Sequence, residues 1–88
     1  MAHPTTDDLR AAVAAAMPSL RADLEDLVRI PSVSREGSTS PDVARSAEAV
    51  AKLLADAGMA DVQVLSVLDG APAVVGRIPA PAGAPTVL

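Results

Sequence analysis

Apolar residues recur every three or four positions through the first third of the chain, a spacing that places side chains on one face of a helix. The predicted helix spans residues 7–29, and its apolar face carries Leu9, Val13, Leu20, Leu24, Leu27 and Val28. We expect this face to pack against the chain's own sheet, because amphipathic helices usually bury their apolar side internally. The alternative is a helix that uses the same face to bind another protein.

The ends and the middle of this segment carry further signals. Thr6 is the predicted N-cap, and the two aspartates after it favour the positive end of the helix dipole. Pro18 lacks a backbone donor and clashes with the preceding turn, which predicts either a kink or two helices. Glu25 and Arg29 have i,i+4 spacing and should form an ion pair, and Pro31 should end the helix.

A second helix is predicted after a loop that is rich in serine and glycine. Ser40 is a good N-cap, and Pro41 suits the first helical position. The helix should reach about Ala57, because Gly58 supplies the left-handed residue that often closes a helix. Its predicted buried face consists of Val43, Ala47, Val50, Ala51, Leu54 and Ala57.

Runs rich in β-branched residues follow and predict strands at 62–67 and 73–78, joined by a turn at residues 69–70. Residues 86–88 look like the opening of a third strand, which is shorter than the usual five or six residues. The expected fold class is α/β, in which two amino-terminal helices precede the first strands of a sheet and the chain is truncated within a strand.

Composition narrows the classes of function. The chain has 88 residues with no aromatic residue and no cysteine, which predicts a thin core and excludes disulfides and thiolate chemistry. Seven basic residues against eleven acidic ones give a formal charge of -4, and the basic residues are scattered singly, which argues against nucleic acid or an anionic membrane as partner. Without a signal peptide or an apolar run of about 20 residues, we expect a cytoplasmic protein.

Few side chains are candidates for chemistry. The single histidine, His3, lies in a polar leader, and Asp23, Glu25 and Asp26 are expected on the solvent side of the first helix. Four serines cluster before the second helix: Ser32, Ser34, Ser38 and Ser40. No histidine lies near enough to activate them, so capping and turn roles are favoured. We therefore predict no catalytic, cofactor-binding or metal-binding residue in this chain.

The pieces and their order resemble the amino-terminal end of M20 family metallopeptidases, the carnosine-dipeptidase-like zinc dipeptidases and deacylases. The junction Ile30-Pro31-Ser32-Val33-Ser34 is similar to the family's turn after its first helix. The helix that ends with Leu53-Leu54-Ala55-Asp56-Ala57-Gly58 and the strand at 62–67 resemble the family's second helix and first strand. Residues 73–77 and 84–88 resemble the strand before the family's first metal-bearing strand and the lead-in to that strand.

The resemblance implies a parent enzyme with two zinc ions, in which a bridging water attacks an amide carbonyl and a glutamate takes the proton. It implies a dipeptide or N-acyl amino acid substrate and a homodimeric parent. A His-x-Asp motif that supplies zinc ligands would follow shortly after Leu88. Residues 1–6 would then be a disordered leader and residues 7–88 an incomplete, inactive part of the catalytic domain, with the loop at 34–40 near the substrate side. The alternative function is a small, non-catalytic, helix-based interaction module.

Overall fold

The computed structural model describes residues 3–33, 40–67 and 70–88. The elements follow one another as α1 (Thr6–Val28), α2 (Pro41–Asp56), β1 (Ala60–Leu65) and β2 (Ala73–Arg77). The two strands form an antiparallel sheet, and α2 packs against both strands. The described part of the chain is therefore a mixed α/β unit, as the sequence predicts.

α1 is one continuous helix with Pro18 in its interior, so the alternative of two helices is wrong. A proline inside a helix costs about 3 kcal/mol, and the alanine-rich turns before it have the highest helix propensity. The helix begins at Thr6, and its N-cap is Thr5 rather than the predicted Thr6. Thr5 is preferred because it forms a reciprocal capping box: the Asp8 amide donates to Thr5 Oγ1 at 3.1 Å, and the Thr5 amide donates to Asp8 Oδ2 at 3.0 Å.

The ion pairs of α1 differ from the prediction. Glu25 pairs with Arg21, and Arg29 pairs with Asp26, so the predicted pair between Glu25 and Arg29 is wrong. Each of the two side chains has a competing partner of opposite charge within one turn, and these exposed pairs differ little in free energy.

α2 begins and ends as predicted. Ser40 is buried, and its hydroxyl accepts the Val43 amide, which caps the helix. At the other end the Gly58 amide donates to the Ala55 carbonyl and the Met59 amide donates to the Leu54 carbonyl, the two bonds of a Schellman motif. Gly58 has a φ of 94°, which a residue without a Cβ adopts at little cost.

The strands are shifted slightly from the predicted ranges, because the antiparallel pairing sets where they begin and end. Ala60 pairs with Arg77 and Leu65 pairs with Ala73, so β1 begins before residue 62 and stops short of residue 67. One extra residue of β1 lies between the pairs at Ala60 and Gln63, which is a β-bulge. Asp61 takes the left-handed φ of 53° there, a conformation that aspartate tolerates better than most residues.

The core of the described unit lies between α2 and one face of the sheet. Val43 and Ala47 are the only buried apolar residues in ranges 3–33, 40–67 and 70–88. Val50, Ala51 and Leu54 are half-buried, as the predicted face requires, but Ala57 is exposed because it lies beyond the last turn. A Cβ at Gly76 would lie 2.8 Å from the Met59 sulfur, so this glycine lets the chain after α2 pack closely on β2.

Two further expectations are wrong for the described residues. Residues 86–88 form no strand: a turn closed by the Ala84 amide and the Pro81 carbonyl precedes them, and Pro85 has no amide to donate to a sheet. α1 contacts α2 but not the sheet, so its apolar face does not pack where the sequence analysis placed it. The loop at 34–39 and residues 68–69 of the predicted turn lie outside the described residues.

Candidate functional site

Four charged side chains line the groove between α1 and α2. Asp23 and Asp26 come from α1, and Lys52 and Asp56 come from α2, each pair being brought to one side by its spacing of three or four residues. Lys52 Nζ lies 2.6 Å from Asp56 Oδ2. The groove is also lined by the apolar side chains of both helices, so the charges lie along the edge of a small helix contact.

The electrostatics of this groove do not favour catalysis. The hydrogen bond from Lys52 to Asp56, the charge of Asp56 and the charge of Asp23 all raise the pKa of Lys52 above its ordinary value. A lysine that acts as nucleophile or base needs a lowered pKa, which usually comes from burial or a neighbouring cation. The cluster therefore does not activate an amine.

The histidine and the three acidic residues considered as candidates for chemistry occupy different surroundings. His3 lies exposed before α1. Glu25 and Asp26 lie at the surface in pairs with arginines, as expected, but Asp23 is half-buried against α2 and does not lie on the solvent side. The predicted position of Asp23 is wrong because the position of α2 relative to α1 cannot be read from the periodicity of α1.

The structure describes two of the four clustered serines, Ser32 and Ser40. Ser40 caps α2, which confirms the predicted role. Ser32 is exposed, and its backbone amide donates to the Ile30 carbonyl at 2.7 Å in the turn after α1. Ser34 and Ser38 lie outside the described residues. Within the described ranges, no three His, Cys, Asp or Glu side chains are close enough together to hold a metal ion.

The most extensive feature of the surface is apolar. We call the exposed apolar face of α1 the α1 stripe, and it consists of Leu9, Val13, Met17, Leu20, Leu24 and Val28. Each of these side chains is more than half exposed. Met17 was not among the predicted members of this face, although the gap between Val13 and Leu20 is the signal that places it there. On the sheet, Leu65 and Val75 lie on the side away from α2 and are also exposed.

Comparison of the chain with protein-family models, with curated proteins and with solved structures finds no significant match. None of the helices in the described ranges has the length and apolar character needed to cross a membrane. The exposed side chains of the described residues are therefore the main indication of function.

Proposed function

We propose that this chain is the amino-terminal segment of a two-zinc dipeptidase or amidohydrolase of the M20 type, and that its own contribution is structural. The resemblance over residues 20–88 supports the proposal, and so does the order of two helices followed by strands. The parent enzyme would be cytoplasmic and homodimeric, and it would hydrolyse the amide bond of a dipeptide or an N-acyl amino acid.

The observation that carries the proposal is the apolar surface that the described unit leaves uncovered. Outside α1, eight large apolar side chains are exposed within the described ranges, whereas only two apolar side chains are buried. Exposed apolar surface of this extent usually marks a contact with other polypeptide. In addition, a two-stranded sheet is marginal by itself and gains stability from further strands. A unit of this kind fits the beginning of a larger α/β domain.

The described residues do not fit a zinc site, because they bring no three ligands of suitable type together. We therefore assign no zinc ligand and no catalytic step to them. In the proposed parent the metal ligands belong to other polypeptide, and α2 with its two strands forms the support beside which the metal-bearing strand would lie.

The proposal is tested by the coding sequence after Leu88 and by the activity of its product. A His-x-Asp motif within a few codons is expected. The longer polypeptide, loaded with zinc, should release amino acids from a panel of dipeptides and N-acyl amino acids, and a chelator should abolish the release. The 88-residue chain under the same conditions should release none.

A matched variant of the longer polypeptide, with alanine in place of the histidine of that motif, controls for contaminating peptidases. It should keep its fold by circular dichroism and lose activity. A stop codon directly after Leu88 would overturn the proposal, and so would a folded, zinc-loaded longer polypeptide that hydrolyses neither substrate class.

The exposed α1 stripe favours a second candidate, a non-catalytic module that binds another protein through this helix. The two candidates differ in what the 88-residue chain does alone. Cooperative unfolding of a compact chain would favour the module, whereas a broad transition would favour the enzyme segment, whose core is completed by other polypeptide.

A further inference from the structure

We propose that the α1 stripe is the contact surface for a second copy of this chain, with the two α1 helices packed antiparallel. The proposal rests on α1 alone and not on the peptidase proposal. It begins from the position of the stripe, whose side chains are exposed while the helix contacts only α2 within the described residues.

The spacing of the stripe makes it complementary to itself. Its members follow one another at intervals of four, four, three, four and four residues, a series that reads the same in both directions. An antiparallel second copy centred between Pro18 and Ser19 therefore places apolar side chains opposite each other along the whole stripe. The three facing pairs, each formed twice, are Leu9 with Val28, Val13 with Leu24, and Met17 with Leu20.

The position of α2 selects the antiparallel arrangement. α2 lies along one flank of the stripe, at Asp23, Leu27 and Ile30. We call the opposite side of the stripe, which α2 does not cover, the open flank. In a parallel pair, the open flank of one helix would meet the flank that α2 covers in the other. In an antiparallel pair the two open flanks meet each other, and the two copies of α2 lie at opposite ends of the pair.

Charges on the open flank support the same register. Arg10 and Glu25 both border the stripe on the side away from α2. Arg10 would lie at the height of Leu27 of the partner subunit, which is two residues, or about 3 Å of helix rise, from Glu25 of the partner subunit. Among the described residues Arg10 pairs loosely with Asp7, at 3.9 Å, and Glu25 pairs with Arg21, so the contact between the copies would compete with one exposed pair in each chain. Because the pair has two-fold symmetry, the contact between Arg10 and Glu25 occurs twice.

The length of the stripe sets the strength of the association. Nineteen residues of rise from Leu9 to Val28 span about 28 Å. A single pair of helices of this length gives an interface at the small end of the specific range, so the dissociation constant should be on the order of 10 μM. Sedimentation velocity between about 1 and 100 μM should therefore show a shift from monomer to dimer.

Cysteine cross-linking tests the arrangement directly, because the chain contains no cysteine of its own. An equimolar mixture of Val13→Cys and Leu24→Cys chains should form a disulfide-linked dimer under mild oxidation. Each variant alone should not, because the two copies of either position lie about 16 Å apart along the antiparallel pair. A mixture of Val13→Cys with Val75→Cys, an exposed position on the sheet, is the matched control and should not cross-link.

Charge reversal tests the register. Arg10→Glu and Glu25→Arg should each weaken the dimer about tenfold, and the double variant should recover most of the loss. Arg45→Glu, on the exposed side of α2, is the control and should leave the association unchanged. Cross-linking of Val13→Cys with itself would overturn the antiparallel arrangement. A chain that is monomeric at 100 μM while α1 stays helical by circular dichroism would overturn the second copy as occupant.

Discussion

α1 and α2 are alike in sequence and different in what they bury. Each begins with a hydroxyl N-cap and an acidic first turn, and each carries apolar residues at helical spacing. α2 buries Val43 and Ala47 against the sheet, whereas no residue of α1 is buried. The difference shows that periodicity identifies the apolar face of a helix, while the path of the chain decides whether that face finds a partner within the unit.

The largest expected effect comes from placing a charge on each helix at its apolar face. Ala47→Asp buries a carboxylate without a partner in the interior of α2 and should cost more than about 4 kcal/mol, enough to unfold a thin core. Val13→Asp places the same charge on an exposed position and should change the free energy of unfolding by less than about 0.5 kcal/mol. Urea denaturation followed by circular dichroism at about 1 μM chain, where the stripe is unpaired, measures both.

Equal losses for the two variants would break the comparison between the helices. They would mean that α1 contributes to the core of the monomer as much as α2 does. The matched variant on the other side of α2, Ala44→Asp, lies at an exposed position and should resemble Val13→Asp.

The sequence was sufficient for the local parts of the fold and insufficient for how they are put together. Helix ends could be predicted at Ser40 and Gly58, because capping depends on residues within one turn. The N-cap of α1 was misplaced by one residue, because Thr5 and Thr6 are both suitable and the side chain of Asp8 decides between them. Strand bounds depend on pairing across the sheet, which the periodicity of a single strand does not contain.

The same limit explains the candidate site. The capping role of Ser40 follows from its neighbours in sequence, whereas the half-buried position of Asp23 depends on where α2 lies. The binding partner of the α1 stripe depends on neither the local sequence nor the fold of the unit, since the proposed partner is a separate molecule. Expectations about zinc, substrate and the parent enzyme rest on resemblance and stay predictions.

The second largest expected change in stability comes from removing the N-caps, which differ in what the capped helix supports. Ser40→Ala removes a buried cap from the helix that forms the core and should lower the global free energy of unfolding by about 1 kcal/mol. Thr5→Ala removes an equivalent cap from α1, but it should only fray the first turn, because that turn contacts nothing else within the described residues.

Hydrogen exchange separates global from local loss. In the Ser40→Ala chain the slowest amides of α2 and β1 should exchange faster together, by about fivefold. In the Thr5→Ala chain the faster exchange should be confined to the amides of the first turn of α1. Acceleration of the α2 amides by Thr5→Ala would contradict the independence of the two helices.

The smallest effect is a dependence on pH that differs between the two ends of α1. Hydrogen bonds from the backbone and the side chain of Thr5 lower the pKa of Asp8 below its ordinary value of 3.8. The capping box is therefore fully formed above pH 3.8 and is lost as the pH falls through the lower pKa of the folded state. Near the other end of α1, the hydrogen bond to Asp56 raises the pKa of Lys52, a residue of α2, above its ordinary value of 10.5. The contribution of Lys52 to the α1–α2 groove is therefore complete below pH 10.5 and is lost as the pH rises through the higher pKa of the folded state.

Backbone chemical shifts can follow the two transitions. Acidification from pH 5 to pH 2 should move the Asp8 amide, and Asp8→Asn should abolish the movement. Alkaline titration, followed by backbone carbon shifts because amide protons exchange too fast at that pH, should move the groove residues while the first turn stays fixed, and Lys52→Met should abolish that change. Since both groups are exposed, neither transition should unfold α2 and the sheet. Loss of the helical signal of α2 and of the sheet together with that of α1 at either extreme of pH would mean that the two helices unfold as one unit, against the separation on which the proposed role of the α1 stripe depends.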